Sequence, residues 1–503
     1  MTTGSYRDIV RSSALIGGSS AIGIAVGLLR TKAMAMLLGP AAFGLMGAYL
    51  ALSELARAVA QLGINASGVR QIAAAVAGGD AARIACTVTV LRRTALACAA
   101  LGAAAMVLLA LPLARLSFGD GAHAGDIALL GAAVFFAVVA AGQGALLQGM
   151  RRIGDLARLG LVGGVASTVV GVPMVWWLGA AGVAPTLVMV AAVSLLASWR
   201  YARAIRVPPV TLARGEFTRE AAALLRLGLA FMASGLLTLG ASYLVRVIVL
   251  RGPGLEAAGL YQAAWTIAGI ATGFVLQALG TDFYPRLVAA QHDSAQANRL
   301  VNEQAQVSML LALPGVLATL SLAPLVVPLL YSQGFGPAAG VLRWLCLGMA
   351  LRVLTWPIGY IVIAQGRQSL FLATEVAWAG VNLVLTWLCV GAWGLDGAGI
   401  AFFGSYVFHA LLVYPIARRA SGFRWSRANK LGATCFALTI GAVFGGWRVL
   451  PGGAALAFGV FATVVATAAC LRALVLLVGP AGLPPRLARL LRRVAPVVGG
   501  EAS

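Results

Sequence analysis

The chain is expected to be an all-α polytopic membrane protein, and three observations predict it. Hydrophobic residues fill 61% of 503 positions and charged residues only 10%, a balance that soluble proteins of this size do not show. About fourteen apolar stretches follow one another between residues 9 and 478, and at roughly twenty residues each they can cross a bilayer as helices. The basic residues sit in alternate connections. Of 37 Lys and Arg, 27 fall in the N-terminus, 70–93, 149–158, 199–226, 286–302, 366–368, 418–430 and 480–503, whereas the other loops hold only Arg115, Arg251 and Arg448. This positive-inside asymmetry predicts cytoplasmic termini. The net charge of +22 therefore reports topology and contact with anionic phospholipid headgroups, and no nucleic-acid partner is expected.

The spans are expected near 12–37, 44–66, 94–114, 127–148, 157–178, 181–199, 227–250, 258–280, 304–330, 338–363, 369–392, 397–417, 431–447 and 454–478. The first is too long for a cleavable signal peptide and lacks an A-x-A-like exit, so it is expected to stay as a span. The longest connection, 200–226, is basic and carries Pro208 and Pro209. The expected organisation is an N-terminal six-helix bundle (1–205), a cytoplasmic linker (206–226), a second six-helix bundle (227–420), two additional transmembrane helices (421–480) and a basic cytoplasmic tail (481–503). Within the tail, 484–493 (PPRLARLLRR) is amphipathic and basic and is expected on the inner membrane surface.

The two halves repeat. At an offset of 217, Leu62-Gly63 returns as Leu279-Gly280, Gln148-Gly149 as Gln365-Gly366, and Trp176, Leu178, Gly182 and Ala184 as Trp393, Leu395, Gly399 and Ala401. With a one-residue shift Arg30 pairs with Arg246. Six spans separate equivalent points, so the copies have the same orientation, as in parallel-repeat transporters.

Arg30, Arg57, Arg246 and Arg352 each interrupt an apolar span. An ionised side chain near the bilayer centre costs at least ~2.5–3.5 kcal/mol, so such residues are expected to face a protein interior or a wet cavity. Glu54, Arg57, Gln61 and Asn65 are spaced 3, 4 and 4 and would form one polar stripe on the second span. Ser20, Gly23, Gly27 and Arg30 share a face of the first span, Gly235, Thr238, Ser242 and Arg246 one of the seventh, and Gln262, Thr266, Gly273 and Gln277 one of the eighth. Convergence of these stripes would line a central cationic cavity suited to an anion. Glu54, Glu375 and Asp282 are the candidate ion-coupling carboxylates. The bland account is that small and polar residues pack helices, that Glu54 and Arg57 form an internal ion pair, and that Arg30 and Arg246 snorkel. There is no G-x-x-x-x-G-K-[ST] motif, no metal-ligand spacing and no catalytic constellation. The six cysteines are scattered, so neither a disulfide nor a cofactor is expected.

Residues 29–80 run LRTKAMAMLLGPAAFGLMGAYLALSELARAVAQLGINASGVRQIAAAVAGGD. This segment, with GLYQAAW (259–265), the FYPRL run (283–287) and YIVIAQGRQSLFLATEV (360–376), resembles the Wzx-type flippases of the MATE-like MOP superfamily over roughly residues 10–420. The resemblance implies two six-span bundles around a central cavity. It also implies transport of undecaprenyl-diphosphate-linked oligosaccharide across the bacterial cytoplasmic membrane, for O-antigen, exopolysaccharide or capsule synthesis. Polysaccharide polymerase and chain-length proteins would be partners. The related lipid II flippases carry cavity arginines on their first two spans, positions that Arg30 and Arg57 match. The last two helices depart from the twelve-span O-antigen pattern. One rival is a cation-coupled multidrug exporter of the same superfamily, but those proteins resemble one another in an acidic residue on the first span, and 12–37 has no Asp or Glu. A glycan polymerase or ligase would need a substantial outer loop, which the chain lacks. A non-transporting scaffold would leave the buried arginines as an unexplained cost.

Overall fold

The computed structural model describes the backbone of residues 3–205, 207–208 and 210–478, and side chains from residue 26 to 477 except 206, 209, 230, 231, 233, 234, 271 and 274–282. The tail expected at 481–503 lies outside these residues.

Every regular element among the described residues is helical. Apolar sequence in lipid must satisfy its backbone hydrogen bonds within the segment, which a helix does. In chain order the helices are α1 (Thr3–Gln61), α2 (Ile64–Ala77), α3 (Ala81–Leu108), α4 (Ala110–Phe118), α5 (Ala124–Gly149), α6 (Ile153–Val169), α7 (Gly171–Leu178) and α8 (Val183–Ala202). They continue with α9 (Arg214–Arg251), α10 (Leu255–Ala289), α11 (Ser294–Leu330), α12 (Ala338–Ala364), α13 (Gln368–Ser421), α14 (Arg427–Val449) and α15 (Gly452–Val478). Nine stretches among the described residues are long and apolar enough to cross a membrane. Three of them, Val26–Gln61, Ile153–Ala202 and Gln368–Ser421, are 36, 50 and 54 residues long, more than one crossing needs. Each turns back at a glycine of positive φ: Gly39 (66°), Gly179 (59°) and Gly394 (57°). With α9 and α10 this accounts for about fourteen crossings. Trp176 and Trp177 beside the second break, and Trp387 and Trp393 near the third, are 60–81% exposed, as in the aromatic belts where membrane meets water.

The repeat is visible in the backbone, but at an offset of 215. Gly179 (φ 59°, ψ −136°) matches Gly394 (φ 57°, ψ −132°), and the positive-φ residues Gly39 and Arg151 match Gly254 and Gly366. The hydrogen bonds agree as well. Arg151 N–H donates to Gln148, Arg152 to Leu147 and Ile153 to Arg151; Gly366 donates to Ile363, Arg367 to Val362 and Gln368 to Gly366. Two chain segments therefore form the same turn while their identical letters lie two residues out of step.

The polar stripe expected on the second span does not stay on one helix. Leu62 (φ 46°) and Gly63 (φ 71°) end α1, so Asn65 lies exposed on α2 rather than on the helix that carries Glu54, Arg57 and Gln61. α9 begins at Arg214, within the connection expected to be linker. Its first turns are held to α3 by a bidentate ion pair from Arg83 to Glu220 (3.0 and 3.2 Å).

The chain divides into two compact units. The first comprises Met1–Ala264, Val327–Val341 and Glu375–Ala401. In it α5 packs on both α3 and α8, around a core that includes Tyr49, Leu91, Ile127, Leu130, Leu146 and Leu147. Glycines set how closely the helices approach. A Cβ on Gly63 would sit 2.0 Å from the Gly228 carbonyl oxygen, and one on Gly259 would sit 1.9 Å from that of Pro40. The second unit comprises Trp265–Val326, Leu342–Thr374 and Phe402–Ser503. Phe283, Leu287, Ile358, Ile361, Val413 and Phe423 form its core. Asn298 and Asn302 of α11 hold the turn between α13 and α14. Asn298 Nδ2 donates to the Ser421 carbonyl (2.8 Å), and Asn302 Nδ2 to that of Arg424 (3.1 Å). Asn429 Nδ2 donates to the Asn302 carbonyl (2.8 Å).

Candidate functional site

The kink at Gly39 divides α1 into two arms, and each arm carries one arginine without a carboxylate partner among the described residues. Arg30, half-buried on the first arm, donates to Ser167 Oγ of α6. Serine is neutral, so the bond orients the guanidinium and leaves its charge. Arg57, half-buried on the second arm, forms neither the ion pair to Glu54 that the alternative account offered nor another hydrogen bond among the described residues. The two differ in depth. At 1.5 Å per residue, Arg30 lies about 14 Å along its arm from Gly39 and Arg57 about 27 Å along the other.

Arg246 of α9 and Gln262 of α10 form a built pair. Arg246 Nε donates to Gln262 Oε1 (2.9 Å) and Nη1 to the Ser242 carbonyl (3.0 Å). Gln262 lies against Gly47 of α1, where a Cβ would come within 2.9 Å of its side chain. Glu54, exposed on the same arm, and the Tyr261 hydroxyl lie within Coulombic reach of Arg246. The first unit thus brings Arg246 and Gln262 onto the α1 arm that carries Glu54, Arg57 and Gln61. Gly47, Ser167 and Tyr261 belong to this arrangement and were not read from the sequence. Small and aromatic residues are abundant in apolar helices, and nothing in their spacing singles these out.

Gln61 is half-buried, and its Nε2 is enclosed with no acceptor among the described residues. An unmade buried hydrogen bond costs about 1–3 kcal/mol. Gln61→Leu is therefore expected to raise the melting temperature of the purified protein in detergent, which differential scanning fluorimetry reads directly. An unchanged or lower melting temperature would mean that the amide is satisfied in solution.

The remaining candidates lie elsewhere. Arg352 is in the second unit, half-buried, within Coulombic reach of His409. Glu375 is half-buried in the first unit and engaged with a neighbour. Gln277 and Asp282 fall on α10, with side chains outside those described. Among the described residues no group of three or more His, Cys, Asp or Glu could hold a metal ion.

Long apolar helices broken at glycines, with Arg246 and Gln262 paired inside the first unit, define a multi-pass membrane protein. The fold agrees with solved transporters. It is similar to a multidrug-resistance MATE transporter of the MOP superfamily in its inward-facing conformation (TM-score 0.67, 16% identity, 78% of this chain and 94% of that one). It is similar to the lipid II flippase MurJ in an inward closed conformation (TM-score 0.65, 12% identity, 92% and 99%). A MOP-superfamily transporter from Pyrococcus furiosus, described as having a binding pocket of reversed polarity, also matches (TM-score 0.56, 18% identity, 82% and 95%). No curated protein sequence matches the chain. The family model described as "Polysaccharide biosynthesis protein" matches residues 33–339, and the chain belongs to that family.

Proposed function

We propose that the chain is a Wzx-type flippase that moves an undecaprenyl-diphosphate-linked oligosaccharide from the inner to the outer leaflet of the bacterial cytoplasmic membrane, with both termini inside. The observation that carries this reading is the pair Arg30 and Arg57, half-buried on the two arms of α1 with no carboxylate partner among the described residues. A guanidinium presents a planar fork that binds phosphate oxygens bidentately, and a diphosphate supplies the charge that the helices withhold.

The depths suggest an order. The diphosphate meets Arg57 first, near the inner end of its arm, and then passes to Arg30 and to the Arg246–Gln262 pair nearer the outer end. The glycan travels in the wet interior while the polyprenyl tail stays in lipid. An inside-negative potential favours outward movement of anionic charge by ~2.3 kcal/mol per charge per 100 mV. When the arginines neutralise the cargo, the same potential draws the empty cationic carrier back inward. Glu54, close to Arg246, is the first candidate for ion coupling; Glu375 and Asp282 follow.

Family membership supports a polysaccharide role and argues against the drug-exporter alternative, as does the acid-free first span. Titration calorimetry of the purified protein with a short-chain polyprenyl diphosphate and with ethidium tests the choice. The diphosphate is expected to bind and to bind more weakly to Arg57→Ala. Binding of ethidium without binding of the diphosphate would move the chain to the exporter branch.

A further inference from the structure

A second basic site lies away from these arginines, on the outside of the first unit where α3, α5 and α8 meet. It is a cleft of about 280 Å3 whose lining includes Arg92, Gln143, Trp199 and Arg203, with Leu96 and Val139 on its apolar side. Four features make it more than a scatter of surface charges. Arg92 and Arg203 come from different helices, and neither has a carboxylate partner among the described residues. Arg203 stacks over the Trp199 ring, 5.2 Å from its centroid, which restrains a long side chain at the rim. Ser198 Oγ lies 2.7 Å from the Gln143 carboxamide oxygen and 2.8 Å from the Leu195 carbonyl, which holds the carboxamide at the cleft with at least one N–H left to donate. The walls below these polar groups are apolar. Gly142 and Ala95 bring α5 and α3 close there, a Cβ on Gly142 meeting that of Ala95 at 2.8 Å.

The level of the cleft is also informative. Arg203 caps the end of α8, Gln143 lies six residues before the end of α5, and Arg92 lies eleven residues into α3. These ends adjoin the basic connections 70–93, 149–158 and 199–226, which the charge asymmetry assigns to the inner membrane surface. Indole rings favour that interface, and basic pockets between helices there take lipid phosphates.

We propose that this cleft binds an anionic phospholipid of the inner leaflet. Arg92, Arg203 and the Gln143 NH2 hold the phosphate, and the first carbons of an acyl chain lie along Leu96 and Val139. A soluble phosphate would meet the same donors but gain nothing from the apolar wall, so the two are separable.

Native mass spectrometry of the full chain, titrated with dioleoyl phosphatidylglycerol and with dioleoyl phosphatidylcholine, tests this. Wild type is expected to retain the anionic lipid about tenfold better, and R92Q/R203Q to lose most of that preference. R299Q, which removes an exposed arginine of the second unit that pairs with Glu303, is expected to keep it. W199L leaves both arginines in place and is expected to weaken retention less than the double variant. It supplies the comparison if the double variant does not fold. An undiminished preference in R92Q/R203Q would overturn the proposal, as would an undiminished preference in W199L when the double variant does not fold. Displacement of the lipid by millimolar inorganic phosphate would also overturn it, in favour of a soluble-anion site.

Discussion

Arg57→Ala is expected to slow translocation of a polyprenyl-diphosphate oligosaccharide by about one hundredfold. A hydrogen bond to a charged group contributes about 1.5–3 kcal/mol, and ~3 kcal/mol corresponds to roughly two decades. The side chain is suited to a clean test because it forms no ion pair or hydrogen bond among the described residues, so its removal breaks no such contact there. Arg57→Lys keeps the charge and loses the fork, and an intermediate rate, down by about tenfold, is expected. Arg246→Ala should also impair transport. That variant additionally releases Gln262 from its 2.9 Å bond, so its effect mixes binding with packing. Initial rates in proteoliposomes, with equal amounts of folded protein, separate the cases. Wild-type rates in Arg57→Ala would remove this residue from the phosphate path.

The largest effect on folding is expected at the glycine crossings. Gly259→Ala places a Cβ 1.9 Å from the Pro40 carbonyl oxygen, and Gly63→Ala places one 2.0 Å from that of Gly228. Both obstacles are backbone, so relief requires moving α9 or α10 away from α1. Overpacking costs typically 1–3 kcal/mol, and at Gly63 the φ of 71° adds strain for an alanine. Both variants should melt at lower temperature in detergent, Gly63→Ala the more so, and lose monodispersity on size exclusion. Gly27→Ala is the control, since its Cβ would meet nothing within 4 Å. Equal melting of all three would mean that the helices do not approach this closely in the membrane.

The fold class was legible because bilayer insertion writes itself into composition: long apolar runs and alternating basic loops have no other common cause. The turning points were harder. Gly39, Gly179 and Gly394 are three of 62 glycines, and their φ depends on what the chain does next. The repeat was seen through matching letters at 217, whereas the turn geometry repeats at 215, because leucine and glycine coincide cheaply in an apolar sequence and backbone hydrogen bonds do not depend on side-chain identity. For the site, the arginines announced themselves by their insertion cost. Their partners did not: Ser167 lies 137 residues from Arg30, and only the packing of α6 on α1 joins them. Asn65 falls in line with Gln61 in the sequence because helical spacing continues on paper through the Leu62–Gly63 turn, and the close approach of Gly228 that places it on a separate helix is invisible in one sequence.

Movement of a lipid-linked anion is the property that defines the proposed flippase. The decisive measurement reconstitutes wild-type protein in proteoliposomes carrying a fluorescent polyprenyl-diphosphate oligosaccharide on one leaflet, and follows its appearance on the other with and without an imposed inside-negative potential. Translocation that the potential accelerates is the result expected of the proposed flippase. No translocation of this lipid, with efflux of a cationic dye from the same vesicles, would contradict it.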